Sequence, residues 1–306
     1  MMTQDVPPPP LARETLDRAA EERRDPTLVD RLRADPATRV LAVHGDRAPL
    51  AAAGGLRYVA PGAVRDGVEW AMLGRDAGGR AVLAAITADA DASPLLDSGS
   101  DGTRWAALRA VGGELAAEDA GIFVEAVSLG RWLLEARFCP LCGTPLRTED
   151  SGWVRRCPGC ARQQFPRTDP AVIVAVVSQD GDRLLLGQNA GWRERRLFSA
   201  FAGFVEAGES LESAIVREIA EEAGVEATKL EYRGSQAWPY PRSIMLGFHA
   251  VAADDAAARA DGEEIVELRW FTRDELRAAF AGELPGVAMP SSASIAHTLI
   301  RDWCER

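Results

Sequence analysis

Between positions 203 and 225 the chain reads GFVEAGESLESAIVREIAEEAGV, and the order of its glycines and charges restricts what the segment can become. Gly203 is followed by Glu209, then by Arg217, Glu218, Glu221, Glu222 and Gly224. Apolar spacing predicts a helix over 211–222, which Gly224 ends. On that helix Glu218 and Glu222 lie one turn apart on the same face with Glu221 beside them, so three carboxylates are expected to converge on one spot. Like charges so close raise one another's pKa values, and a bound divalent cation relieves the repulsion; hard carboxylate oxygens suit Mg²⁺ or Mn²⁺. Arg217 can pair with Glu209 to fix the loop against the helix, while Gly203 and Gly208 permit the strand-loop-helix turn. A solvated acidic helix face would explain the charges but not the glycines and the arginine in register.

A second pattern precedes the first. Cys139-x-x-Cys142 and Cys157-x-x-Cys160 are separated by fourteen residues, with Gly143 and Gly159 beside the cysteines. Two such knuckles close a tetrahedron of thiolates about Zn²⁺ at about 2.3 Å with no open position, which makes the site structural. Free or redox-active cysteines are the competing reading. The fifth cysteine, Cys304, falls on a C-terminal helix and reads as a small buried hydrophobe. Arg147, Arg155, Arg156 and Arg162 surround the cysteines, and a ribbon of this kind can bind nucleic acid. The net charge of −11 opposes a broad phosphate-binding face of the sort duplex DNA requires, leaving room for a local basic pocket. No DNA partner is expected.

A chain of 306 residues is long enough for two domains and a small metal-stabilised module. We expect a flexible tail over 1–10, an α+β N-terminal domain over 11–137, a zinc ribbon over 138–165 and a catalytic domain over 166–306. In the first domain 39–45 and 80–86 read as strands, 103–111 and 128–138 as amphipathic helices. In the last, 171–178 (AVIVAVVS) is a central strand and 183–188 its partner; 243–251 and 264–271 are further strands, with helices over 272–280 and 294–305. No internal repeat is evident. No apolar run approaches the ~20 residues needed to cross a bilayer. The N-terminal segment, with Gln4, Asp5 and four prolines, is unlike a secretion signal, so a cytoplasmic address is expected.

The pattern over 203–225 resembles the complete Nudix box. The resemblance implies an α/β/α sandwich with a mixed sheet, here preceded by the four-cysteine ribbon and the N-terminal domain, and hydrolysis of a nucleoside diphosphate linked to another group. It further implies that Glu218, Glu221, Glu222 and the backbone carbonyl of Ala202 hold the catalytic Mg²⁺ or Mn²⁺, with Glu222 the leading catalytic carboxylate and Arg217 part of the machinery. Glu264 matches a further glutamate used for metal or base work, although Glu263 and Glu267 stand close by.

Ten residues past the box, SQAWPYPRS over 235–243 resembles the substrate signature SQPWPFPxS of the NADH pyrophosphatase branch of that family. That branch also has a four-cysteine ribbon directly before the Nudix domain, and forms homodimers. By the resemblance, Gln236 and Ser243 contact the nucleotide, and Ala237, Trp238, Pro239, Tyr240, Pro241 and Arg242 complete the substrate loop. Ala237 departs from the pattern's proline, and Trp238 also reads as a core residue. Phe165 and Phe204 match aromatics that stack on a base, Ile173 an apolar wall, Ala296 a backbone contact and Arg109 a phosphate contact, the last equally readable as a solvated helix residue. The implied reaction cleaves NADH or NAD to AMP and NMNH or NMN, and extends to RNA carrying a 5′ NAD cap. The alternatives are a Nudix hydrolase for another substrate such as ADP-ribose, and a non-catalytic protein whose ribbon reads RNA.

Overall fold

The computed structural model of the chain describes residues 8–13, 15–87 and 104–306. It divides into two compact units, one of Met1–Ala12, Asp169–Trp238 and Ser243–Arg306, the other of Arg13–Thr168 with Pro239–Arg242. Among the described residues no helix is long and apolar enough to cross a membrane.

The second half of the chain is built on one strand whose side chains are apolar on both faces. The other unit supplies α1 (Leu28–Ala34), β1 (Arg39–His44), β2 (Arg47–Leu50), β3 (Glu69–Arg75), β4 (Ala81–Thr87), β5 (Arg104–Ala107), α2 (Leu108–Val111), α3 (Ala117–Glu135), β6 (Arg147–Glu149), β7 (Val154–Arg156) and β8 (Gln163–Gln164). There follow β9 (Asp169–Val177), β10 (Arg183–Asn189), β11 (Phe201–Phe204), α4 (Leu211–Ala223), β12 (Ala227–Trp238), β13 (Ser243–Ala252), β14 (Ile265–Thr272), α5 (Arg273–Phe280) and α6 (Ile295–Glu305). Along β9 the period-two alternation sends Val172, Val174 and Val176 to a core beneath α4, with Ile215 and Ile219, and Ile173 and Ala175 to a core beneath α5 and α6, with Leu299 and Ile300. A sheet covered by helices on both faces is the α/β/α sandwich. Its order is β12-β13-β9-β10-β14, with β11 on β9. It is mixed, because β13 runs parallel to β9 and the other pairs are antiparallel. Cys304, 4% exposed, belongs to the second core.

Several helix ends follow the sequence signals. Thr272 caps α5 through a capping box with Glu275. Ser294 caps α6 by accepting from the Ala296 N–H, and Gly224, at φ +66°, ends α4.

The other unit, of Arg13–Thr168 with Pro239–Arg242 and called the first unit below because its sheet comes first in the chain, carries a sheet of order β3-β4-β1-β2-β5. β11 apart, its pairings repeat those of the other sheet: β1–β4 is parallel, and β1–β2, β3–β4 and β2–β5 are antiparallel. The chain thus contains a structural repeat that the sequence did not disclose. Only strand order and direction are retained, and backbone pairing constrains side chains little. In the first copy residues 51–68, between β2 and β3, contain a 3-10 turn at Pro61–Ala63 and no α-helix, at the position where α4 stands in the second.

Two expected helices of this unit are corrected. Position 103 lies outside the described residues; Arg104–Ala107 is a strand, paired with β2 through Pro49↔Trp105, and only Leu108–Val111 is helical. The free edge of β2 overrides weak helical spacing. The helix expected over 128–138 begins at Ala117 and stops at Glu135, buried on most sides from Ala120 to Leu133, so its apolar residues follow no single stripe. Residues 1–7 of the expected tail lie outside the described residues, whereas Leu11 is buried and donates its N–H to Gln236 Oε1 (3.3 Å).

The ribbon is a small sheet, β6-β7-β8, docked in the same unit. Its turn puts Gly152 at φ +101°, where an added Cβ would lie 2.6 Å from Ala71 Cβ on the edge strand β3. Trp153 donates its ring N–H to Met72 O (2.7 Å), Arg155 Nη2 donates to Leu133 O (2.6 Å), and Arg23 stacks on Trp153 at 3.8 Å. The exposed edge of the sheet is thereby covered. Gly152→Ala combines a backbone geometry that side chains avoid with a backbone collision, and should cost about 2 kcal/mol or more, read as a lower midpoint in chemical denaturation.

Candidate active site

The site starts from β11. Phe201 through Phe204 pair with Val174 through Ala171 of β9, which fixes Ala202 and Gly203 at the sheet's end. The chain then turns through Gly208 at φ +92° and enters α4 at Ser210, whose hydroxyl accepts from the Ser213 N–H (3.1 Å). Ala214, Ile215, Ile219 and Ala223 are buried against the sheet, so the rotation of the helix is fixed and its charged face is set with it. Gly203 is required by contact: a Cβ there would collide with the Glu218 carboxylate.

Arg217 organises the charges. It grips Glu209 in bidentate fashion (Nε–Oε1 2.8 Å, Nη2–Oε2 2.9 Å), and donates to Glu218 Oε1 (2.8 Å), Glu221 Oε2 (3.2 Å) and the Phe204 carbonyl (3.0 Å). The Arg217 hydrogen bonds, aided by the Glu206 N–H, hold the Glu209 carboxyl down at about 2. The three helix carboxylates are less tightly gathered than the sequence suggested. Among the described residues the group of possible donor atoms lying within 4.8 Å of one another is the four cysteine sulfurs, not the glutamates. The guanidinium competes for the oxygens of Glu218 and Glu221, and Glu221 is largely exposed (61%).

Glu222 is different. It is 5% exposed, and its Oε2 has no hydrogen-bond partner among the described residues. Burial, then the charges of Glu264, Glu218 and Asp261, push its carboxyl up to about 8, against a hydrogen bond from the Ala202 backbone. Glu264 is held by Asn189, whose Nδ2 donates to its Oε1 (3.3 Å), and by the Ala190 N–H on its carbonyl (2.8 Å). Asp261 accepts from the backbone N–H groups of Glu263, Glu264 and Ile265; burial opposes its ionisation, but these amides keep its pKa low. Neither Asn189 nor Asp261 was anticipated. The acidic run 261–264 was the one available signal. A buried carboxylate with an unpartnered oxygen, ringed by others, is a fitting donor set for a hard divalent cation.

The other expected positions are dispersed. Phe204 is exposed (52%) beside Gly203, a surface available for stacking. Ile173 and Ala296 are buried in the core beneath α6. Gln236 is 1% exposed, and both ends of its amide are engaged, Oε1 by the Leu11 N–H and Nε2 on Ala293 O (3.0 Å), so it ties the chain together where nucleotide contact was expected. Ser243 is buried. Ala237, expected in a turn, lies in the β12–β13 ladder opposite Ile244; the turn itself is Pro239–Arg242. Trp238 is half-buried and Pro239 buried, while Pro241 and Arg242 are exposed.

In the first unit, the Tyr240 hydroxyl bonds Asp46 Oδ2 (3.1 Å) and accepts from the Arg109 N–H (3.1 Å). The Arg109 side chain stays two-thirds exposed. Phe165, 47% exposed, lines a cleft of about 270 Å³ with Trp132, Phe138, Arg131 and Arg167. The four sulfurs pair across the knuckles, Cys139–Cys160 at 3.7 Å and Cys142–Cys157 at 3.4 Å, close enough for one zinc to be enclosed. Of the arginines around them, Arg155 is buried and Arg156 is paired with Glu149 (2.8 Å), which depletes the basic surface expected there.

The chain matches a NUDIX domain over 167–288, the NADH pyrophosphatase zinc ribbon domain over 135–165 and the NADH pyrophosphatase-like rudimentary NUDIX domain over 23–132. It is 40% identical over 282 residues to the NAD-capped RNA hydrolase NudC of Mycobacterium tuberculosis (strain ATCC 25618 / H37Rv), spanning 90% of this chain and 86% of that protein. It is 36% identical over 203 residues to the NAD-capped RNA hydrolase NUDT12 of Homo sapiens, spanning 62% of this chain and 43% of that protein. A crystal structure of a NUDIX hydrolase from Nitrosomonas europaea aligns over 55% of this chain and 90% of its own, at 24% identity and a TM-score of 0.39. The chain belongs to the Nudix hydrolase family, in its NADH pyrophosphatase branch. The family model's description of the N-terminal part as rudimentary agrees with a sheet that has kept its strand order and lacks the helix.

A raised carboxyl pKa fixes the sign of a pH effect. Between pH 4.5 and about 8 the unfolded chain has released the Glu222 proton and the folded, metal-free protein retains it, so stability falls as pH rises through this window. Divalent cation binding must displace that proton and should tighten with pH over the same range. Thermal melts of metal-free protein from pH 5 to 8, with and without added Mg²⁺, should show the decline and its reversal. Glu222→Gln should flatten both.

Proposed function

We propose that this protein hydrolyses the central diphosphate of NADH and NAD, giving AMP with NMNH or NMN, and removes the NAD cap from 5′ NAD-capped RNA by the same reaction. The observation that carries the reading is the buried Glu222 carboxylate, with a free oxygen, on a helix whose glutamates stand in the family's register. The 40% identity to a NAD-capped RNA hydrolase over 90% of the chain supports the substrate. In this reading Glu218, Glu221, Glu222, Glu264 and the Ala202 carbonyl hold Mg²⁺ or Mn²⁺. A divalent cation held there would supply the positive charge that offsets the negative charge developing at the attacked phosphorus. Glu222 takes the proton of the attacking water, whose oxygen bonds to phosphorus as the bridging P–O bond breaks and the other mononucleotide leaves with the bridging oxygen. Arg217 positions Glu218 and the loop. Phe204 offers an aromatic face to a base, a handle every nucleobase shares.

The same reading includes a homodimer, supported by the family resemblance, and a cytoplasmic setting, supported by four cysteines gathered as metal-binding thiols, which a reducing compartment preserves.

Purified protein with Mg²⁺ or Mn²⁺ and NADH should release AMP. Glu222→Gln should lower kcat on the order of 10²–10⁴-fold with little change in KM. Cleavage of ADP-ribose or other nucleoside diphosphates with NADH left intact would overturn the substrate; unaltered turnover in Glu222→Gln would overturn the role of that carboxylate.

A further inference from the structure

Residues 190–196, AGWRERR, form a surface loop next to Glu264 that the reaction above does not use. Both ends are fastened. Asn189 receives the Gly191 N–H on Oδ1 (2.9 Å) and donates to Glu264 Oε1 (3.3 Å), and the Ala190 N–H bonds the Glu264 carbonyl (2.8 Å). At the far end the Arg196 carbonyl accepts from the Ala288 N–H (2.9 Å), and the Arg196 side chain packs on Gly286. Between the anchors a 3-10 turn turns Trp192, Arg193 and Arg195 toward solvent.

The cations of this loop are unspent. Elsewhere in the same unit arginines are engaged by carboxylates, as Arg233 is by Asp302 (2.6 Å), Arg269 by Glu275 (2.5 Å) and Arg183 by Asp255 (2.9 Å). Arg193, Arg195 and Arg196 have no ion pair among the described residues, a condition shared in this unit with Arg259 alone among its described arginines. Glu194 pairs with none of them. Trp192 is 37% exposed and has no ring or hydrogen-bond partner among the described residues. On a chain of net charge −11, free guanidinium groups flanking an open indole form a local surface for a polyanion that carries stacking rings.

We propose that this loop grips the RNA chain that follows a 5′ NAD cap, with Trp192 stacking on a base and Arg193 and Arg195 neutralising phosphates. The inference rests on the hydrolase reading above and extends it from the cap to the chain. Its fastening to Glu264 sets the loop beside the carboxylates assigned to the reaction. A free dinucleotide ends at its own adenosine and has no following phosphates for the arginines to meet, so the loop matters for capped RNA and not for NADH.

The test compares NADH with a short 5′ NAD-capped RNA as substrates for the wild type, Trp192→Ala and the double variant Arg193→Ala/Arg195→Ala, at about 50 and about 200 mM salt. Each variant should lose roughly tenfold in kcat/KM on the capped RNA and stay within about twofold of wild type on NADH. The double variant should also show a shallower salt dependence, by about 0.7 in logarithmic slope per lost phosphate contact. Equal losses on both substrates, or unchanged RNA cleavage and salt slope, would overturn the proposal. So would a wild type that cleaves NADH but not the capped RNA, which removes the cap-cleaving part of the hydrolase reading and leaves dinucleotide hydrolysis intact. A wild type that cleaves neither overturns the hydrolase reading and this extension with it.

Discussion

The guanidinium of Arg217 lies at the meeting point of strand, loop and helix, and much of the site's geometry depends on how its donors are shared. Two go to Glu209 and pin the loop, one goes to the Phe204 carbonyl at the end of β11, and the rest restrain Glu218 and Glu221. A planar fork with five donors can serve these directions at once; a lysine could not. The closeness of β11 to α4 that this requires is possible because Gly203 has no Cβ to meet Glu218. With the neighbours so fixed, Glu222 is left on the helix's inner edge, buried, and with no ion pair among the described residues. Its raised pKa follows from that burial first, and then from the charges of Glu264, Glu218 and Asp261.

Two sheets of the same strand order and direction frame the comparison between the halves. The strands need only the pairing of backbone groups and an apolar core, and many sequences satisfy both. The catalytic arrangement needs a helix between the second and third strands of the repeat, and residues 51–68 provide only a short 3-10 turn there. The first copy therefore retains the fold and lacks the platform for the carboxylates. What it does carry is the ribbon, fastened along β3 by Gly152 and Trp153 and onto α3 by Arg155.

The ribbon joins two kinds of stabilisation. Its own core is hardly more than Leu146 with two cysteines, too small to fold by burial, which is why four thiols must be gathered for a metal. Docking on β3 then ties that small element to a larger core.

The sequence by itself determined the parts whose cause is local. Alternation along β9, the caps at Ser210, Thr272 and Gly224, the spacing of the four cysteines and the register of Glu209, Arg217, Glu218 and Glu222 each express a rule that acts within a few residues. Tertiary structure alone decided the burial of Glu222, the attachment of Glu264 to Asn189, the use of Gln236 as an internal tie, and the repeat of the sheet. Each of these depends on contacts between segments far apart in the chain. Burial and the field of neighbouring charges, which set what a carboxylate can do, come from whatever the fold brings beside it, and no local pattern encodes that.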